Sequence, residues 1–85
     1  MNRIHFIAFA QLARDWRVQA KGWEQQAELD TDPQVKDEHR KSAEVSYLQS
    51  LAIEAAVIQV GKRFNVRFDE VKFRQACNPD IPMPL

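Results

Sequence analysis

Phe6, Phe9, Ala13, Trp16, Ala20, Trp23 and Ala27 recur at steps of 3, 4, 3, 4, 3 and 4. That spacing is the seam of an α-helix packed lengthwise against another helix. Phe9, Trp16 and Trp23 share one heptad position, and Phe6, Ala13, Ala20 and Ala27 share the other. A ridge of aromatic rings therefore runs beside a row mostly of alanines, and core packing of the rings over their small neighbours is expected. The pattern predicts a helix from about residue 4 to about residue 29. Gly22 is a tolerated weak point within it, costing about 1 kcal/mol relative to Ala.

In Asp30-Thr31-Asp32-Pro33, Asp32 is placed to cap a second helix and Pro33 to occupy its first turn, where a missing N–H costs nothing. So short a connection makes two long helices antiparallel neighbours. The second helix is expected over residues 33 to 62, stopping near Gly61. Its first part is charged. From Val45 onward it carries two apolar stripes, Leu48, Leu51, Ala55 and Ile58 on one side and Ile53, Val57, Val60 and Phe64 on the other. A helix with two apolar faces needs two partners. The first helix supplies one; residues 64 to 77 are expected to supply part of the other, and a second copy of the chain, docked through Ile53, Val57 and Val60, is a candidate for the rest.

Phe64, Val66 and Phe68 alternate with Asn65 and Arg67, predicting a short extended piece. Asp69 then caps a last helix over residues 69 to 77, with Phe68 and Phe73 placed as a hydrophobic staple. Asn78-Pro79 is a stop signal. The expected organisation is one helical domain over residues 1 to 78 and an extended, proline-rich tail over residues 79 to 85.

A chain of 85 residues buries only about 60 to 65 per cent of its unfolded surface, and oligomerisation is an ordinary remedy. Cys77 is the sole cysteine, so no internal disulfide forms, and a reducing cytoplasm is the expected setting. The apolar stretch Ile4 to Leu12 has one Arg before it and no small-residue cleavage site after it, so a signal-peptide reading is rejected. Every uncharged run is far shorter than the roughly 20 residues needed to span a bilayer, and no membrane partner is expected.

The net charge of zero hides a segregation: residues 1 to 23 carry +3, residues 24 to 60 carry −5 and residues 61 to 75 carry +3, with Asp80 beyond. In an antiparallel hairpin Arg3, Lys62, Arg63, Arg67, Lys72 and Arg74 gather at one end. Glu24, Glu28, Asp30, Asp32, Asp37 and Glu38 gather at the other. Either end is fit to steer a partner of opposite charge, although helix-terminal placement alone also accounts for many of these charges.

No set of residues here has the spacing that catalysis requires. His5 and His39 fall at opposite ends of the hairpin, on the order of 25 Å apart at 1.5 Å per residue, and cannot share a metal. His39 beside Glu38 reads first as a surface residue, and Cys77, at helical spacing from Phe73, as a small buried hydrophobe. The carboxylate pairs Asp30/Asp32 and Asp37/Glu38 lack the apolar surroundings of acid–base catalysts. There is no P-loop, GxGxxG or HExxH. No enzymatic activity, metal or cofactor is expected.

In residues 63 to 78, Asn65-x-x-Phe68-Asp69-x-x-x-Phe73-x-x-Ala76-Cys77 resembles the C-terminal ending of many small phage and prophage proteins. Those proteins usually close with Gly, where this chain continues with Asn78-Pro79. The resemblance covers under a fifth of the sequence. It implies a mobile-element origin and, through it, a protein that binds and inhibits host machinery such as a defence system. The full expectation is an all-α chain, a long antiparallel two-helix hairpin with a short C-terminal helix, dimeric. Its leading function is non-enzymatic protein binding through the acidic end. Nucleic-acid binding through the basic end and a structural or assembly role are the alternatives.

Overall fold

In the computed structural model, which describes residues 3–83 and the side chains of residues 4–83, helix α1 spans Arg3–Leu29, α2 Pro33–Phe64 and α3 Glu70–Cys77. The expected all-α architecture is present: two long helices pack against each other and a short third helix lies across one end of them. The side chain of Arg3 lies outside the described residues, as do Pro84 and Leu85.

Local chemistry explains where the helices begin. The Asp32 carboxylate accepts a hydrogen bond from the Gln34 N–H at 2.9 Å, with Pro33 in the first turn of α2. The Asp69 carboxylate accepts from the Lys72 N–H at 2.9 Å at the start of α3. Each satisfies one of the donors that a helix start leaves without a partner. Phe68 and Phe73 form the expected staple, their ring centroids 5.8 Å apart. The α1–α2 link is only residues 30 to 32, and the hairpin is antiparallel, Trp23 meeting His39 near the turn and Arg17 meeting Glu54 farther along.

The seam differs from expectation in one respect. Ala10, Ala13, Ala20 and Ala27 are buried in it, facing Ala43, Ser46, Ser50 and Val57 of α2. Trp16 and Trp23 are only half-buried, and Phe9 is exposed. Small residues on both helices bring the backbones close, and rings too wide for the gap are displaced to its flank. The large-residue core lies instead at the open end of the hairpin. There Phe73, Cys77 and Ala76 of α3 pack on Ala10, Ala13, Val57 and Ile58, with Phe6, Ile53, Phe68 and Met83 around them. Phe6 meets Phe73 edge-on at 5.1 Å.

Three further departures have local causes. Helix α2 does not stop at Gly61 but runs on to Phe64, where the Asn65 N–H donates to the Gly61 carbonyl at 2.9 Å. Gly61 is needed for space: a Cβ there would lie 2.6 Å from the Phe68 ring. Residues 65–68 form a turn and not an extended piece, because the Asn65 side chain accepts from the Arg67 N–H at 3.0 Å and the Phe68 N–H donates to the Asn65 carbonyl. Val66 is left 96% exposed. Residues 78–80 likewise turn: the Asn78 side chain accepts from the Asp80 N–H and its carbonyl from the Ile81 N–H. Segment 78–83 consequently folds back on α1, held by Arg14 to the Ala76 and Ile81 carbonyls and by Lys21 to Asp80.

Gly61→Ala is expected to destabilise the fold by about 1 to 3 kcal/mol through the forced shift of Phe68. Gly22→Ala, whose added methyl meets nothing within 4 Å, is expected to stabilise it by about 1 kcal/mol. Urea unfolding of the two variants beside the wild type checks both signs.

Candidate functional site

The end of the hairpin at the α1–α2 turn carries the acidic residues, and they divide by use. Asp30 is paired with His39, whose ring stacks on Trp23 at a centroid distance of 5.1 Å. Asp32 is the α2 cap. These two hold the turn in shape, and His39 is a half-buried structural group. Asp37 pairs with Lys41 one turn on, at 3.0 Å, with both side chains well exposed. Glu24, Glu28 and Glu38 are exposed and make no ion pair among the described residues. The outward-facing acidic set is therefore Glu24, Glu28, Asp37 and Glu38.

At the open end the basic residues are partly engaged. Lys62 lies 3.5 Å from Glu70, and Arg74 makes a 2.9 Å contact with Glu54. Arg63, Arg67 and Lys72 are exposed, with no ion pair among the described residues. Of the residues expected to join two copies, Val57 belongs to the buried core, Ile53 packs against it and only Val60 is open to solvent.

One group was not anticipated. Glu54, the sole charged residue between Val45 and Gly61, is buried between Arg17 of α1 and Arg74 of α3. Its place in an otherwise uncharged helical run was the available signal, because a lone carboxylate there needs a cation from another element. Arg17 in turn lies over the Tyr47 ring, 5.9 Å from its centroid. The triad ties all three helices together. Beside it lies a cleft of about 290 Å³ lined by Arg17, Ala20, Lys21, Glu24, Tyr47 and residues 78–80. Its charges are largely matched internally through Lys21 and Asp80.

Cys77 is fully buried. Burial pushes its thiol from the ordinary 9.0 up to about 11, with nearby Glu54 adding to the rise and Arg17, Arg14 and Arg74 opposing it. The proton on this sulfur is thus held more tightly than in a free cysteine, the reverse of what a nucleophile needs. Among the described residues no group of three His, Cys, Asp or Glu could hold a metal ion, and no helix is long and apolar enough to cross a membrane.

Glu54→Ala is expected to destabilise the fold by about 2 to 3 kcal/mol, since it removes the buried carboxylate that pairs the mostly buried Arg17 guanidinium. Arg74→Ala, which removes a half-exposed partner, is expected to cost about 1 kcal/mol. Chemical denaturation ranks the two. Because the Cys77 value is raised in the fold, its contribution to stability is complete below pH 9.0 and is lost as pH climbs toward about 11. The stability of Cys77→Ala, followed by thermal melts across that range, should fall less steeply than that of the wild type.

Comparison with known proteins gives no match: no family model, curated protein or solved structure matches this chain.

Proposed function

We propose that this chain is a small non-enzymatic protein-binding module whose rigid hairpin presents Glu24, Glu28, Asp37 and Glu38 to a basic surface on another protein. The observation that carries this reading is the division of labour at the turn. Asp30, Asp32, His39 and Trp23 lock the backbone, so the outward carboxylates stand on a preformed scaffold and lose little freedom on binding. Carboxylates arrayed in this way accelerate encounter with a cationic partner. The resemblance of residues 63 to 78 to small phage and prophage proteins supports a partner in host machinery, a defence system among the candidates. The lone cysteine, Cys77, supports a cytoplasmic place of action.

Nucleic-acid binding through Lys62, Arg63, Arg67, Lys72 and Arg74 is the weaker reading, because Lys62 and Arg74 already face Glu70 and Glu54. A purely structural or assembly role is the third. Retention of host proteins on the immobilised chain, with and without nuclease, separates the readings. One stoichiometric, nuclease-resistant protein is expected. Its affinity for a variant carrying Glu24→Gln, Glu28→Gln, Asp37→Asn and Glu38→Gln should drop by roughly tenfold, mainly in the association rate. Unchanged affinity would remove the acidic end from the mechanism, and broad, nuclease-sensitive retention would favour the basic end.

A further inference from the structure

The hairpin has two flanks, and α3 with segment 78–83 covers only one of them. The covered flank runs along Ala10, Arg14, Arg17 and Lys21 of α1 and Glu54, Ile58 and Gly61 of α2. On the opposite flank, Phe9, Leu12, Trp16, Gln19 and Trp23 follow a 3-4-3-4 spacing along α1. Val45, Gln49, Ala52, Ala56 and Val60 run along the same side of α2. This flank carries no charged side chain over its middle and is open: Phe9 is 40%, Leu12 45% and Val60 52% exposed. A hollow of about 350 Å³ lies on it between Trp23 and Lys41, Ser42, Val45 and Ser46.

We infer that a second copy of this chain covers this flank, related by a two-fold axis that crosses the hairpin near Trp16, so that four helices pack with the acidic turn of each copy beside the basic end of the other. Two features select this occupant and this direction. Phe9 and Trp23 lie seven residues to either side of Trp16, about 10 Å each way along the helix. Antiparallel pairing of α1 with α1 therefore sets the Phe9 ring of one copy over the Trp23 hollow of the other. The charges agree with the same direction. Arg63, exposed in the last turn of α2, comes over Asp37 and Glu38 of the second copy, whereas parallel pairing would set acidic turn beside acidic turn. A face two helices wide on a molecule 50 Å long suffices for the roughly 800 Å² per partner that specific interfaces bury. Glu24, which lines the cleft beside Asn78 and Asp80, lies on the flank covered by segment 78–83, away from this contact. The dimer bears on the proposed function: Asp37 and Glu38 face Arg63 of the second copy, which leaves Glu24 and Glu28 to meet a basic partner. The test of the dimer, run on the chain alone, fails or succeeds without reference to that partner.

Sedimentation equilibrium of the purified full chain tests it without any host protein present. A dimer is expected that weakens as salt is raised, because its ends attract. Leu12→Glu should give a folded monomer by circular dichroism; if that variant does not fold, Val60→Glu reads the same interface. Arg63→Glu should weaken the dimer several-fold, and adding Glu38→Arg should restore it. A wild-type chain that stays monomeric at high concentration overturns the proposal, which leaves the flank to an unlike partner. A dimer untouched by both flank variants overturns it, and so does one that tightens with salt.

Discussion

Alanine and serine along most of the seam set how near the two long helices come, and the aromatic rings Phe9, Trp16 and Trp23 are displaced to the side. Ala10, Ala13, Ala20 and Ala27 face Ala43, Ser46 and Ser50. Such residues remove little surface from water on their own account. They gain through backbone proximity and through the many close contacts that proximity allows. The positions of Phe9, Trp16 and Trp23 follow from this, because the gap that suits alanine excludes an indole. The aromatic flank is therefore a product of the seam's geometry, although in sequence it reads as part of the seam itself.

A hairpin zipped by small residues has little hydrophobic area to hold it, and the remaining cohesion is concentrated at the open end. There the three phenylalanines Phe6, Phe68 and Phe73 pack mutually, and Glu54 draws Arg17 and Arg74 toward one point. A buried carboxylate is a poor source of stability compared with an apolar residue of the same size. It is directional, however, and it admits only the docking of α3 that brings a guanidinium to each carboxylate oxygen. Gly61 acts in the same sense by steric means, leaving the room that the Phe68 ring occupies.

What was legible in the sequence was what depends on neighbours in the chain. The limits of α1, the caps Asp32 and Asp69, the Phe68–Phe73 staple and the antiparallel hairpin all rest on residues a few positions apart. The extended piece expected at residues 64 to 68 failed because an Asn65 side-chain turn outweighs a two-residue alternation in so short a stretch. Gly61 read as a helix stop because its true neighbour, Phe68, meets it only once the chain has turned. The Glu54 triad and the sharing of acidic residues between scaffold and surface depend on which elements meet in space. Asp30 and Glu28 are alike in sequence, and only the first finds a histidine.

The bonds from Arg14 to Ala76 and Ile81 span 62 and 67 residues, and that from Lys21 to Asp80 spans 59. During synthesis the two long helices are made before any of these partners exists. The open-end core closes only after residues 70 to 83 have left the ribosome, which makes a helical protein, usually a fast and local folder, wait on its most distant contacts. Until then Phe6, Arg17 and Glu54 have no α3 to cover them. The two long helices therefore do not make a smaller version of the fold: truncation ahead of α3 would expose the apolar open end and leave Glu54 without its second guanidinium.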